Sequence, residues 1–462
     1  MWHTTQYALH ILQHNEVALR RKSMVHRRLR PKPVGGQVQR ALIGAAAVLL
    51  LAGCAPVQSD PAGIGGDEQT GTVRVWLFDE ATRAPKEAVI DEAIAEFTAT
   101  RPDVRVDVQW VPVAARAEKF AGAFNDPASA PDVAEFGNTD LAGYAVSGAF
   151  ADLTADLAAW PEGKDLVPSV LDTAKSGGKV YGLPWYTGIR ALYYRTDIFA
   201  ELGLRPPGTL AELTETARRI RAAKPELYGI SVGGKYTFAM LPFLWAHGGE
   251  IAEYDGTMWN STINSDRAEE GVTRYAELIR DDICPPAQCV DFTGTQSVQA
   301  FAGGKAAMTV GGDFNRKAVE QGAAKGKYAV VPLPGVQSGS VAPAFAGGNL
   351  LGVFRASKHR GLARDFIELL GGARYQEKMY RAMGNLPTLA GVQRQLAAND
   401  PFLAPFVESL GAGTKFVPST PAWSKIDSQN VLPTAVQQIA TGSKAPGAAL
   451  NAAAAVMNKA FR

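Results

Sequence analysis

The chain has 462 residues, about a fifth of them charged, and a formal net charge of +2. Eight Lys or Arg and one acidic residue, Glu16, fall within residues 1–53, and removing that +7 leaves the remainder at −5. A chain of that sign carries no basic footprint for nucleic acid. The roughly 400 residues after that segment exceed what one hydrophobic core usually supports, and so predict two domains.

In chain order, the first feature is the run ALIGAAAVLLLAG, residues 41–53, followed by Cys54. It is too short to remain as a membrane-spanning helix. Arg27, Arg28, Arg30, Lys32 and Arg40 precede it, and small residues lead into the cysteine, so it reads as an export signal over residues 1–53. Residues 1–23 do not resemble the start of such a signal, and Met24 is the alternative first residue. Leu-Ala-Gly-Cys resembles a bacterial lipobox. That resemblance implies diacylglyceryl attachment to Cys54 and cleavage that makes it the new N-terminus. Two acyl chains hold a protein at a membrane where one does not. Residues 54–71 are rich in Pro, Gly and polar side chains and read as a tether with a reach of roughly 20 Å.

Thr72–Phe78 reads as a buried strand. Val89, Ile90, Ala93, Ile94 and Phe97 then follow a helical stripe, and Val104, Val106, Val108 and Trp110 alternate as a second strand. Strand, helix and strand within about 40 residues make a right-handed βαβ unit. Pro131–Phe136 is a third strand, with the loop GNTD at its carboxyl end, where open α/β sheets bind ligands. The crossing into a second domain is placed at Tyr181–Phe199. Helices are expected over 209–224, with Thr209 and Glu212 as a capping box, and over 238–246 and 268–280. Ala306–Val310 is read as a strand leading to a loop, and Tyr328–Pro334 and Leu350–Phe354 as strands returning to the first domain.

Cys284 and Cys289 lie in CPPAQC. Outside the cell a disulfide between them is expected over two free thiols. Only His247 and His359 follow Cys54, neither near a cysteine, so no metal site is expected. No cofactor is expected either.

Five ordered segments carry a wider resemblance: PDVAEFGNTDLAGYAVSGAFADLT, GGKVYGLPWYTGIRALYYRTDIF, LPFLWAHGGEI, FAGGKAAMTVGGDF and GNLPT. Together they are similar to the extracellular solute-binding proteins of sugar ABC importers, the maltose-binding-protein-like family, over nearly all of residues 72–462. The resemblance implies an α/β, two-lobe periplasmic-binding-protein fold of type II (a Venus flytrap), with mostly parallel sheets flanked by helices. Lobe 1 would comprise 72–188 and 328–371, and lobe 2 would comprise 189–327 and 372–462. It implies a monomer on the outer face of the cell membrane, closing on a sugar, expected to be an oligosaccharide, and passing it to ABC permease subunits with a cytoplasmic ATPase.

Carried over residue by residue, the resemblance places Glu80, Asn138, Thr139, Asp140, Gly348 and Asn349 against the sugar, with Tyr236 and Phe238 on an aromatic loop. Phe314 stands where relatives often carry a stacking Trp, and Trp423 at the C-terminal stacking position. Trp185, Trp245 and Asp313 complete the expected set. The chemistry is general: buried hydroxyls need polar partners, and planar side chains can engage two at once. The apolar faces of a sugar suit flat rings. Against this, Trp245 on its apolar helix reads rather as core, Trp185 can be either, the family position favours binding for Trp423, and Asp140 can also cap a helix. Two alternatives remain open: a lipid-anchored enzyme acting on glycosides through paired carboxylates, and a receptor for a non-sugar solute such as glycerol phosphate. Arg190, near the crossing, suits the latter.

Overall fold

A computed structural model describes residues 69–79 and 83–462. The signal, Cys54, nearly all of the tether and Glu80 lie outside the described residues.

The first lobe is built on β1 (Thr70–Asp79), whose Val75–Phe78 are buried on both faces of the sheet. α1 (Arg83–Ala99) buries Lys86, Ile90, Ala93 and Phe97, a spacing that puts all four on one helical face. β2 (Asp103–Pro112) then pairs with β1 in parallel along its whole length. After α2 (Arg116–Asn125), β3 (Val133–Gly137) joins the other side of β1, also in parallel. A single turn over Asn138–Asp140 leads from β3 into the short helix α3 (Leu141–Val146).

β4 (Leu183–Gly188) completes the first pass through this lobe. The chain crosses at Ile189 into β5 (Arg190–Arg195), the middle strand of a three-stranded sheet in the second lobe. Helices α4 (Leu210–Ala223), α5 (Thr237–Ala246) and α6 (Asp266–Arg280) surround it. Thr209 caps α4 by accepting from the Glu212 N–H at 3.0 Å, whereas the Glu212 carboxylate reaches back to the Gly208 N–H at 2.8 Å. The reciprocal box instead forms at Thr293 and Gln296, ahead of α7 (Gly294–Ala302). β6 (Met308–Gly312) and β7 (Tyr328–Val331) flank β5, both antiparallel to it. Cys284 and Cys289 are joined by a disulfide, both fully buried, in the turn after α6.

The chain returns to the first lobe as β8 (Gly347–Val353), inserted between β3 and β4 and antiparallel to both. α8 (Arg360–Gly371) and α9 (Ala373–Met383) cover the sheet, and β9 (Leu386–Pro387) is added at the β4 edge. The large sheet therefore runs β9-β4-β8-β3-β1-β2. β9 is the last strand of that sheet, and Thr414–Lys415 later pairs in parallel with Ala344–Phe345, beside the passage by which β8 returns. The last helices, α10 (Ala422–Ser428), α11 (Val431–Ala440) and α12 (Pro446–Phe461), pack into the second lobe's core.

Three expectations are corrected. The large sheet is mixed, because β8 and β9 enter it from returning segments that run against β4, and the small sheet is wholly antiparallel. Tyr328–Val331 stays in the second lobe, since its free partner is β5; only the Gly347–Val353 strand returns. Residues from Tyr375 to Leu396 bury Met379, Leu386 and Leu396 in the first lobe's core, so that lobe extends past residue 371, whereas Phe406 packs against Tyr193 of β5. An apolar strand has no lobe of its own; its place depends on which edge is vacant.

Candidate functional site

At the first crossing, Gly188 has no side chain, and the ring of Phe314 occupies the space: a Cβ on Gly188 would lie 2.9 Å from Cε1 of that ring. Across from it, the Tyr236 ring rests on Gly294, where a Cβ would come within 2.6 Å. Phe238 stacks on Phe345 with centroids 4.6 Å apart. These three rings surround one guanidinium. The Arg190 Cζ lies 5.8 Å from the Tyr236 centroid, 4.9 Å from Phe238 and 5.7 Å from Phe314. Its Nε donates to the Tyr236 hydroxyl at 3.2 Å, and that hydroxyl donates to the Val310 carbonyl at 3.2 Å.

The four residues line a hollow of about 320 Å³ with Lys235, Asn315 and Asp427 on its rim. Asp427 belongs to α10, which lies against the Asn138–Asp140 turn of the first lobe. Loss of water around its carboxyl and the charge of Asp140 both raise its pKa. Phe345 continues the ring stack to Phe416, 5.6 Å away and nearly parallel. Phe416 then lines a second hollow of about 370 Å³, shared by Thr173 and Lys175 from the first lobe and Trp259 from the second. A third hollow, about 360 Å³ between helices of the second lobe, has no Phe, Tyr or Trp in its wall. Its charges pair among themselves, as Arg218 does with Glu215 and Arg274 with Glu277.

Tyr236, Phe238 and Phe314 are thus brought together. Of the other expected residues that are described, all but Thr139 have a visible competing role. Asn138 is buried and donates to the Thr173 hydroxyl at 3.0 Å and the Ala346 carbonyl at 2.9 Å, so it braces the wall behind the second hollow. Thr139 is half-buried in the same turn. Asp140 makes no cap bond; it accepts from Arg116 Nε at 3.2 Å. Asp313 is fully buried, with Oδ1 accepting the Ile189 N–H at 2.8 Å and Oδ2 the Leu386 N–H at 2.7 Å. Burial pushes its carboxyl up to about 7, against the lowering effect of those N–H groups and of Arg190.

Trp185 is 1% exposed and lies under the Lys86 ammonium, 5.1 Å from its ring centroid. Trp245 is core on α5, and Trp423 is 4% exposed in the core of the second lobe. Gly348 sits in the β8–β4 ladder, where a Cβ would overlap the Tyr186 carbonyl oxygen. Asn349 donates to Glu135 Oε1 at 2.7 Å and to the Tyr186 hydroxyl at 2.6 Å.

Those last contacts belong to a network that was not anticipated from the sequence. Glu135 pairs with Lys86 at 2.8 Å, both essentially buried, and also accepts from the Tyr186 hydroxyl at 2.6 Å and the Phe78 N–H at 2.7 Å. A glutamate inside the apolar strand PDVAEF was the available signal, since a buried charge needs a partner. Among the described residues no group of three His, Cys, Asp or Glu could hold a metal ion, and no helix is long and apolar enough to cross a membrane.

Comparison with known proteins gives one answer. A family model described as bacterial extracellular solute-binding protein matches residues 81–377. A binding protein of Brucella abortus (strain 2308) is 30% identical over 300 residues, 63% of this chain and 69% of that protein. The diacetylchitobiose-binding protein of Streptomyces coelicolor is 26% identical over 418 residues, 88% of this chain and 95% of that one. In fold, the sugar-binding protein MalE of Xanthomonas citri superposes with a TM-score of 0.75 at 24% identity, covering 84% of this chain and 97% of that one. By its sequence over most of the ordered body, the chain belongs to the bacterial extracellular solute-binding protein family.

Proposed function

We propose that this protein is the sugar-capturing lipoprotein of a carbohydrate ABC importer. Anchored through Cys54 on the outer face of the cell membrane, it closes as a monomer around an oligosaccharide and passes it unchanged to the permease subunits. Family membership supports solute binding, and the diacetylchitobiose-binding relative supports a sugar. The observation that carries the reading is the group of rings beside the crossing. Flat faces of Phe238 and Phe314, with the 5% exposed Tyr236 beside them, stand next to the polar groups of Arg190, Asn315 and Asp427. A sugar needs both, an apolar face for its C–H groups and donors or acceptors for its hydroxyls. The stack from Phe238 through Phe345 to Phe416 connects two hollows, which suits a chain of sugar units over a single one.

Binding without turnover fits the carboxylates as well. Asp313 has both oxygens committed to backbone N–H groups and Asp140 is held by Arg116, so neither is free to act as one of a hydrolytic pair. The test is a thermal-shift screen of the purified protein against mono- and oligosaccharides, with chromatography of the recovered sugar. A ligand at 100 times its Kd should add about 2.7 kcal/mol of stability. A rise with one oligosaccharide, recovered intact, supports the reading. Cleavage products, or a rise confined to non-sugar solutes, would overturn it.

A further inference from the structure

Building on that reading, we propose that the captured sugar carries an acidic group, a carboxylate or a phosphate, and that Arg190 is the residue that binds it. Arg190 begins β5 immediately after the first crossing, where its position is set by the sheet. Three rings hold its guanidinium in place, and those rings are themselves seated on Gly188, Gly294 and Phe345. Of its five N–H donors only the Nε–H is used, on Tyr236. Among the described residues its two terminal amino groups have no hydrogen bond and its charge has no ion-pair partner, although it lines the hollow.

The neighbouring carboxylates do not fill that role. Asp313 is the one whose charge Arg190 influences, but its oxygens are aimed at Ile189 and Leu386 and its burial favours the neutral acid. Asp427 is on the rim, with its charge coupled to Asp140 and Arg116 on the first lobe. The other cation at the rim, Lys235, is paired with Asp291 at 2.8 Å on the exposed side. A preoriented guanidinium with its terminal N–H groups open is the geometry that takes a planar carboxylate or a phosphate through two parallel hydrogen bonds. Closing the cleft over a neutral sugar would instead strip water from a charge with no counter-ion. The aromatic box orients the fork and adds cation–π attraction without neutralising it.

The experiment has two parts. In the first, melting of wild-type protein is followed in glucuronate, phosphate and chloride at one ionic strength. A rise with an oxyanion over chloride that disappears in Arg190→Met and partly survives in Arg190→Lys is expected; no difference between oxyanions and chloride in wild type overturns the proposal. In the second, matched pairs are titrated calorimetrically: digalacturonate against galactobiose, and glucose 6-phosphate against glucose. The acidic member of one pair should bind at least about tenfold more tightly, a difference of about 1.4 kcal/mol, and in Arg190→Met the acidic and neutral members should bind equally. Which pair responds distinguishes carboxylate from phosphate. Neutral sugars binding as tightly as acidic ones would overturn the acid group and leave the sugar reading intact. Arg190-dependent shifts with anions, but no binding of any sugar, would overturn the sugar reading and keep the anion site.

Discussion

Asp313 Oδ2 accepts the Leu386 N–H at 2.7 Å, so a residue leaving the second lobe's sheet holds the edge strand of the first. Its other oxygen holds Ile189, the residue on which the chain crosses. One carboxyl therefore fastens both sides of the junction, and the aromatic group around Arg190 is built next to it.

This junction should be pH-sensitive. Burial raises the Asp313 carboxyl to about 7 from an unfolded value near 4. Between those limits the folded state binds the proton that the unfolded state has lost, so this group's contribution is fullest below pH 4 and fades as pH climbs to about 7. Thermal melting from pH 4.5 to 8 should show a downward slope attributable to Asp313. In Asp313→Asn that slope should vanish, and an amide N–H facing a backbone N–H should cost about 1–3 kcal/mol. An unchanged slope in the variant would rule the assignment out.

The Lys86–Glu135 pair should behave as a buried ion pair, strongly coupled and weakly stabilising. Lys86→Met leaves the buried Glu135 without its ammonium partner and should cost about 3–5 kcal/mol by denaturant titration. The double variant Lys86→Met with Glu135→Leu should recover a large part of that loss. Additive losses would mean that the two side chains act independently.

Trp423 and Phe238 separate packing from binding. Trp423→Ala removes a core ring and should lower stability by about 3–5 kcal/mol. Phe238 is only partly buried at the hollow, so Phe238→Ala should cost less stability than Trp423→Ala and weaken the sugar more. Calorimetric titration beside melting on both variants gives the comparison, and the reverse order would place the ligand at Trp423.

Gly348→Ala is a stability test at a position expected from the sequence to touch ligand. The new Cβ would overlap the Tyr186 carbonyl oxygen, which cannot retreat without loosening the β8–β4 ladder. A cost of about 1–3 kcal/mol is expected, read as a lower melting temperature in the absence of sugar. A variant that melts like wild type and loses only sugar affinity would return Gly348 to the binding surface.

Local patterns were enough to mark the Ile90, Ala93 and Phe97 stripe of α1, the βαβ unit it closes, the Thr209 cap and the family segments, because each depends on neighbours within a few residues. Tyr236, Phe238 and Phe314 follow from the family resemblance, and the fold gathers their three rings around Arg190. The three tryptophans were not settled: Trp185, Trp245 and Trp423 have the chemistry of a sugar platform, and only the packing around them shows that they are core. Asp313 and Asn349 likewise have ligand-binding side chains whose hydrogen bonds are taken by residues 73 and 214 positions away. The amino-acid order by itself determined which elements form and which family they make. Tertiary structure decided which polar and aromatic groups remain available to a ligand, because that depends on partners brought together only when the two lobes assemble.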